Sequence, residues 1–243
     1  MHMPRRASLA ALLLALPALP AGAAEPPAGQ PAGYRLLYEQ DCRRPESLAD
    51  FVFSDPKAWK WNGPGENAGL ELAGKSQYKP AHRSPLNIAL IADRTFGDFT
   101  LEAELQSTVK PYNHQDMCLF YGFAGTNQFY YTHLAVAADP HAHNIFIVTN
   151  AARLAIARQT TRGVQWGDGR WHKIRLERRA AEGSIKVYFD DLTQPIMVAE
   201  EKTLTRGAIG FGSFDDRGRV RNIRVWGPAV TPEKTGFFRR QGD

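Results

Sequence analysis

Between residues 97 and 148 the chain reads GDFTLEAELQSTVKPYNHQDMCLFYGFAGTNQFYYTHLAVAADPHAHNIFIV. Four runs within it, 99–106, 116–123, 128–136 and 144–148, are dense in aromatic and β-branched residues, and Gly, Asn, Asp or Pro bounds each of them. That composition and spacing belong to strands. Side chains alternate across a strand, so the run 128–136 sets Phe129, Tyr131, His133 and Ala135 on one face and Gln128, Tyr130, Thr132 and Leu134 on the other. Four such strands need the middle of a sheet. The same stretch nevertheless holds four of the seven histidines, His114, His133, His141 and His143. Polar, titratable groups threaded through a buried sheet break the local rule, and functional sites are where such breaks concentrate.

The rest of the chain repeats the pattern. Runs 34–39, 51–54, 58–62, 69–72 and 88–92 precede the central stretch, and 151–159, 171–178, 183–190, 196–200, 208–212 and 220–226 follow it. Residues 45–48 suggest a short helical turn or loop; no convincing helix appears elsewhere. At least a dozen short strands with regular turn chemistry predict an all-β, two-sheet antiparallel β-sandwich, as one domain spanning 34–228.

The ends read differently. Arg5 and Arg6 precede an apolar run, 9–19, and the small residues Ala21, Gly22 and Ala23, the layout of a secretory leader over 1–24. The run is too short to span a bilayer, and Arg5-Arg6 makes a poor twin-arginine motif. The expectation is an exported protein, periplasmic or extracellular, with no membrane insertion. Residues 25–33 read as a Pro/Gly/Ala linker with nothing to pack, and 229–243 as a polar tail with a disordered end. Removing the leader takes Arg5 and Arg6 and lowers the formal charge from +5 to +3. No Lys/Arg run is interleaved with aromatics, so nucleic acid is not an expected partner. Arg217, Arg219, Arg221 and Arg224 read as a solvated strand face. Cys42 and Cys118 leave two readings open, one disulfide or a buried small hydrophobe at Cys118. Oligomeric state is not encoded in any pattern.

Residues 169–191, with Gly169, Trp171, His172 and the Asp190-Asp191 end of a hairpin, resemble the concanavalin A-like lectin/glucanase superfamily and its laminin G-like domains. Residues 207–213 and 220–225 are similar to the closing strands of that jelly roll, and 96–104 to its central strand. Within it the pattern looks nearest to secreted 3-keto-disaccharide hydrolase-like domains, though DMCLF at 116–120 stands where those carry an Asn-Ser-Gly-type turn. The spaced acidic triplet of family-16 glycoside hydrolases is absent from 102–106. The resemblance implies a carbohydrate ligand or substrate met on the concave sheet. It also implies a structural calcium where terminal strands meet, for which Asp215, Asp216 and Asp41 offer oxygen ligands; a plain turn is the other reading of Asp215-Asp216.

Candidate site residues follow from these two lines. Tyr131 and His133 share a face, an aromatic platform beside an imidazole that suits a sugar ring and proton transfer. His114 sits where a loop enters a strand, with Asp116 placed to orient it. His141 and His143 lie at His-x-His spacing beside Asp139 and Asn144, either as a sugar-contacting loop or, with His133 or Asp139, as a sparse zinc set. Lys79, Arg83, Asn87 and Arg153 can meet a sugar carboxylate or hydroxyls. Two functions fit: a glycoside hydrolase or lyase-like enzyme using His133, His114 and Asp116, or a non-catalytic, lectin-like glycan-binding module.

Overall fold

The computed structural model describes residues 24–243; the leader read over 1–24 lies almost wholly outside them. Two antiparallel sheets hold nearly all of the strands among the described residues. The larger runs, in spatial order, Ala157–Thr160, Met197–Glu200, Ser184–Phe189, His172–Arg179, Phe99–Ser107, Gly218–Gly227, Leu70–Leu72 and Trp59–Trp61, with Arg35–Gln40 also pairing Gly218–Gly227. The smaller runs Leu154–Ala155, Asn144–Thr149, Gln128–Ala135, Asp116–Gly125, Ala208–Ser213, Asn87–Ile91 and Phe51–Phe53. The two short 3₁₀ turns are Pro45–Asp50 and Pro56–Ala58. The expected sandwich is what forms.

Alternation explains the interior. Leu119, Tyr121, Tyr130, Leu134, Ile145 and Ile147 of the smaller sheet meet Leu101, Leu105, Ile174, Leu176, Ile185, Val187 and Val220 of the larger in one buried cluster, burying each element's apolar face against the other. The outer face of the larger sheet is charged. Arg175 pairs Glu102 at 2.5 Å, Arg221 pairs Glu104 at 2.7 Å, and Arg224 pairs Glu39 at 2.7 Å. Of the four arginines read as a solvated face, Arg219, Arg221 and Arg224 form cross-strand ion pairs, each adding little by itself, while Arg217 is exposed.

The outer face of the smaller sheet is not open. Val52, Leu90, Cys118, Phe120, Phe123, Phe129, Tyr131, Phe146 and Val148 form a second buried cluster, packed against Tyr78, Phe214 and Phe238. Phe123 stacks on Phe129 at 4.7 Å and Tyr131 on Phe146 at 5.0 Å. The C-terminal segment, expected to be loose, closes over this face. Phe238 meets Phe123 at 5.7 Å and Tyr78 at 5.4 Å, while Arg239 exchanges backbone bonds with Phe53. The tail is therefore a docked strap; it also contributes a strand, Val230–Pro232, paired with Arg94–Phe96. The stretch 25–33 is docked as well: Gln30 accepts from Thr100 and Arg179 on the larger sheet. Apolar aromatics and side-chain amides inside low-complexity stretches supply anchors that composition hides.

Both cysteines are free and buried. Cys42 belongs to the inter-sheet core and Cys118 to the outer cluster, so the disulfide reading fails and the buried-thiol reading holds. Among the described residues, no helix is long and apolar enough to cross a membrane.

Candidate functional site

One end of the outer cluster stays uncovered. There a cleft of about 550 Å³ opens, walled by Lys79, Arg83, Tyr112, His114, Asp139, His141, Arg153, Phe214 and Asp215, with Asp116 and His133 at its base. Its size is that of a small-ligand site.

Strand register builds the base. Cys118 sits directly opposite His133, and Asp116 opposite Ala135. Asp116, Cys118 and His133 therefore share the outer face, with Asp116 diagonal to His133, a distance that long side chains bridge. His133 Nε2 lies 3.2 Å from Asp116 Oδ2, off the line of a hydrogen bond, so that Nε2 is buried with no aligned partner among the described residues. The other ring nitrogen, Nδ1, is 3.3 Å from the His141 carbonyl. A carbonyl only accepts, so Nδ1 donates and carries a proton.

Asp116 is tied from every side. Ser213 Oγ donates to its Oδ1 at 3.0 Å, and the Cys118 thiol donates to Oδ2 at 3.3 Å. Burial and the adjacent carboxylate push that thiol well up, so it stays protonated. The Asp116 N–H donates to Asp216 Oδ2 at 2.8 Å, and Tyr112 O–H donates to Asp216 Oδ1 at 2.7 Å. Burial pushes the Asp216 carboxyl up to about 6 against those two donors. Ser213 ends the strand Ala208–Ser213, which neighbours Asp116–Gly125, and Asp216 lies just beyond it. Tyr112, Ser213 and Phe214 were not singled out by sequence; Tyr112 is a lone aromatic in a polar loop, with no periodicity to mark it.

Arg153 crosses the cleft wall. It donates to Tyr131 Oη at 2.7 Å and to the His141 carbonyl at 3.2 Å, and its guanidinium lies over Phe146 at 4.8 Å and Phe214 at 4.9 Å.

The expected site residues thus divide. Lys79, Arg83, His114, Asp116, His133, His141 and Arg153 come together around the cleft. Asp116 serves His133, however, and not His114, which is exposed and faces Asp139 at 3.8 Å. Tyr131 shares the face of His133 but offers no platform: its ring is fully buried beneath Phe214 and Arg153. Asn87 is fully buried; it accepts from Ser76 N–H at 2.8 Å and donates to the Phe214 carbonyl at 2.8 Å, pinning the cleft wall from behind. Asn144 is spent on the Ala157 N–H.

The His-x-His pair also separates. His143 has φ +51°, which breaks extended alternation, and its buried ring meets Thr161 Oγ1 at 2.9 Å. His141 alone reaches the cleft, so the two do not make a zinc pair. Burial, followed by the charge of His133, pushes His143 down to about 4. Unfolded, it takes a proton near 6.5; acidification from about pH 6.5 toward 4 therefore favours the unfolded chain. His143→Gln is expected to flatten the fall of Tm over that range, and parallel Tm–pH curves for the two proteins would remove the assignment.

Asp215 and Asp216 do gather with Asp116, but Asp41 does not join them; its carboxylate caps the Arg43 N–H. Calcium needs six or more oxygens, whereas the oxygens of Asp116 and Asp216 already accept from Ser213, Cys118, Tyr112 and the Asp116 N–H. The donor set does not fit the ion, and no role is derived through it.

No family model matches the sequence, and no curated protein matches it either. Solved structures match in shape. The carbohydrate-binding module CBM66 from Bacillus subtilis superposes with a TM-score of 0.52 at 15% identity, over 72% of this chain and 93% of that one. The fold is a lectin-like jelly roll. Lotus tetragonolobus seed lectin gives 0.50 at 12% identity, over 81% of this chain and 99% of that one. A GH43 protein from Bacillus licheniformis gives 0.54 at 10% identity over 77% of this chain, which matches only 38% of that larger protein. At such identities the likeness concerns architecture, and function rests on the site.

Proposed function

We propose that the cleft binds a saccharide and that His133 moves a proton while a glycosidic bond is broken, in an exported glycoside hydrolase or lyase-like enzyme. The observation that carries this reading is the buried His133 Nε2, without an aligned partner and beside Asp116, at the base of a small-ligand cleft. Nδ1 is anchored on the His141 carbonyl, which holds the ring in place and leaves Nε2 as the nitrogen that changes state. Asp116 supports the charged ring in this scheme, Tyr112 and Arg153 stand where substrate hydroxyls arrive, and Phe214 supplies an apolar wall. The jelly-roll neighbours include a carbohydrate-binding module, lectins and a GH43 protein, which supports a glycan as the ligand. The overall sequence pattern, nearest to secreted 3-keto-disaccharide hydrolase-like domains, fits a modified disaccharide as one substrate. Export rests on the leader pattern of 1–24.

A lectin-like module is the second reading, favoured by the fit of nearly the whole of CBM66 and of the seed lectin onto this chain. Histidine NMR tests the shared part. An oligosaccharide mixture is expected to shift the imidazole signals of His133, His141 and His114 saturably. His172, locked between Asp190 and the Trp166 carbonyl on the larger sheet, serves as a silent control. Uniform shifts, or none, would contradict a saccharide site here.

A further inference from the structure

Resting on the saccharide reading of the cleft, we infer that its ligand carries an anionic group, a carboxylate or a sulfate ester, held where Arg83, Lys79 and Arg153 converge. Several arginines of the larger sheet are matched by carboxylates, whereas Arg178 and Arg179 give their donors to neutral oxygens. On the larger sheet Arg175, Arg221 and Arg224 each meet a glutamate, and Arg158 meets Glu200 at 2.6 Å. Among the described residues, neither Arg83, Lys79 nor Arg153 has a carboxylate partner at ion-pairing distance, although all three face one cleft.

Arg153 is the most telling. It is half-buried between Phe146 and Phe214, and its bonds go to two neutral oxygens, Tyr131 Oη and the His141 carbonyl. A guanidinium offers five N–H donors in a planar fork. Its charge has been brought partly out of water without an internal counter-ion, a cost that an arriving anion offsets. Arg83 reaches the same place. Burial pushes the Tyr131 phenol up, and the charges of both Arg153 and Arg83 oppose that push; the two cations therefore bear on one phenol.

The cleft's own carboxylates are mostly engaged. Asp116 accepts from Ser213 and Cys118 and lies beside His133, and Asp139 accepts the His141 N–H and faces His114. Asp215 stands exposed on the rim, as does Asp139. An oxyanion from outside is the group that completes the site, and Arg suits a planar carboxylate or a sulfate face.

The test uses matched ligands on the intact protein, with binding followed by calorimetry. Uronate oligosaccharides are compared with the same chains after carboxyl reduction, and sulfated oligosaccharides with their desulfated forms. Binding of at least one acidic member is expected to exceed its neutral match about tenfold or more, to weaken with added salt, and to fall about tenfold in Arg83→Gln/Lys79→Gln. Both side chains are exposed, so an unchanged Tm will certify the variant's fold. Which pair shows the difference identifies carboxylate or sulfate as the anion. Equal binding of acidic and neutral members overturns the inference while leaving the saccharide reading intact; no binding by any member overturns both.

Discussion

Replacing His133 by Ala is expected to lower turnover by about 10²–10⁴-fold, the range for removing a positioned proton-transfer group, while saccharide affinity changes far less. His133 sits beneath the cleft with its Nδ1 on the His141 carbonyl and its Nε2 beside Asp116, so it is placed to act on bonds and not to grip the ligand. Loss confined to kcat marks an interaction made in the transition state. Asp116→Asn is expected to lose turnover as well, because a neutral amide cannot support a charged ring. A structural explanation is separable: a His133→Ala protein with unchanged Tm, intact binding and intact turnover would remove His133 from the chemistry. A protein that loses binding and turnover together would point to the lectin-like reading, with His133 as a contact.

The second large effect concerns the sheet that carries the cleft. Gly212 lies on the strand Ala208–Ser213, opposite Cys118 on one neighbour and Ile88 on the other. A Cβ built there would stand 1.8 Å from the Asn87 carbonyl oxygen and 3.1 Å from the Phe120 ring. Neither can yield: the oxygen is backbone, and Phe120 is fully buried in the outer cluster. Gly212→Ala must separate two paired strands in the middle of the sheet. Its expected cost is about 3 kcal/mol or more, roughly 10 °C in Tm for a domain of this size. Gly125→Ala, where the added carbon meets nothing within 4 Å, is expected to stay within about 0.5 kcal/mol. Thermal unfolding of the two variants side by side measures the difference; equal Tm values would mean that the close approach at Gly212 does not constrain the sheet.

Much of the architecture was legible in the chain because period-two alternation is a local property. Ile185, Val187 and Phe189 fall on one buried face for the reason that Tyr131 and His133 fall on another. What alternation could not reveal was coverage. Tyr131 reads as an exposed platform until Phe214, 83 residues on, and Arg153, 22 residues on, close over it. Nor does it reveal register. Asp116 is two residues from His114 but works with His133, because the pairing of Asp116–Gly125 with Gln128–Ala135 places them diagonally. The His-x-His reading failed for a backbone reason, the left-handed conformation of His143, since two residues share a side only in an extended chain. Asn87 was picked as a polar candidate and turned out to be the buried pin of Ser76 and Phe214, a distinction that depends on contacts distant in sequence.

The most direct measurement of the central claim is the release of new chain ends by the purified protein from a panel of acidic and neutral polysaccharides, with the His133→Ala protein run beside it. The account predicts new reducing or unsaturated ends from at least one glycan, and their loss in the variant. Saturable glycan binding with no chain ends released by the native protein would contradict it and leave a binding module in the same cleft.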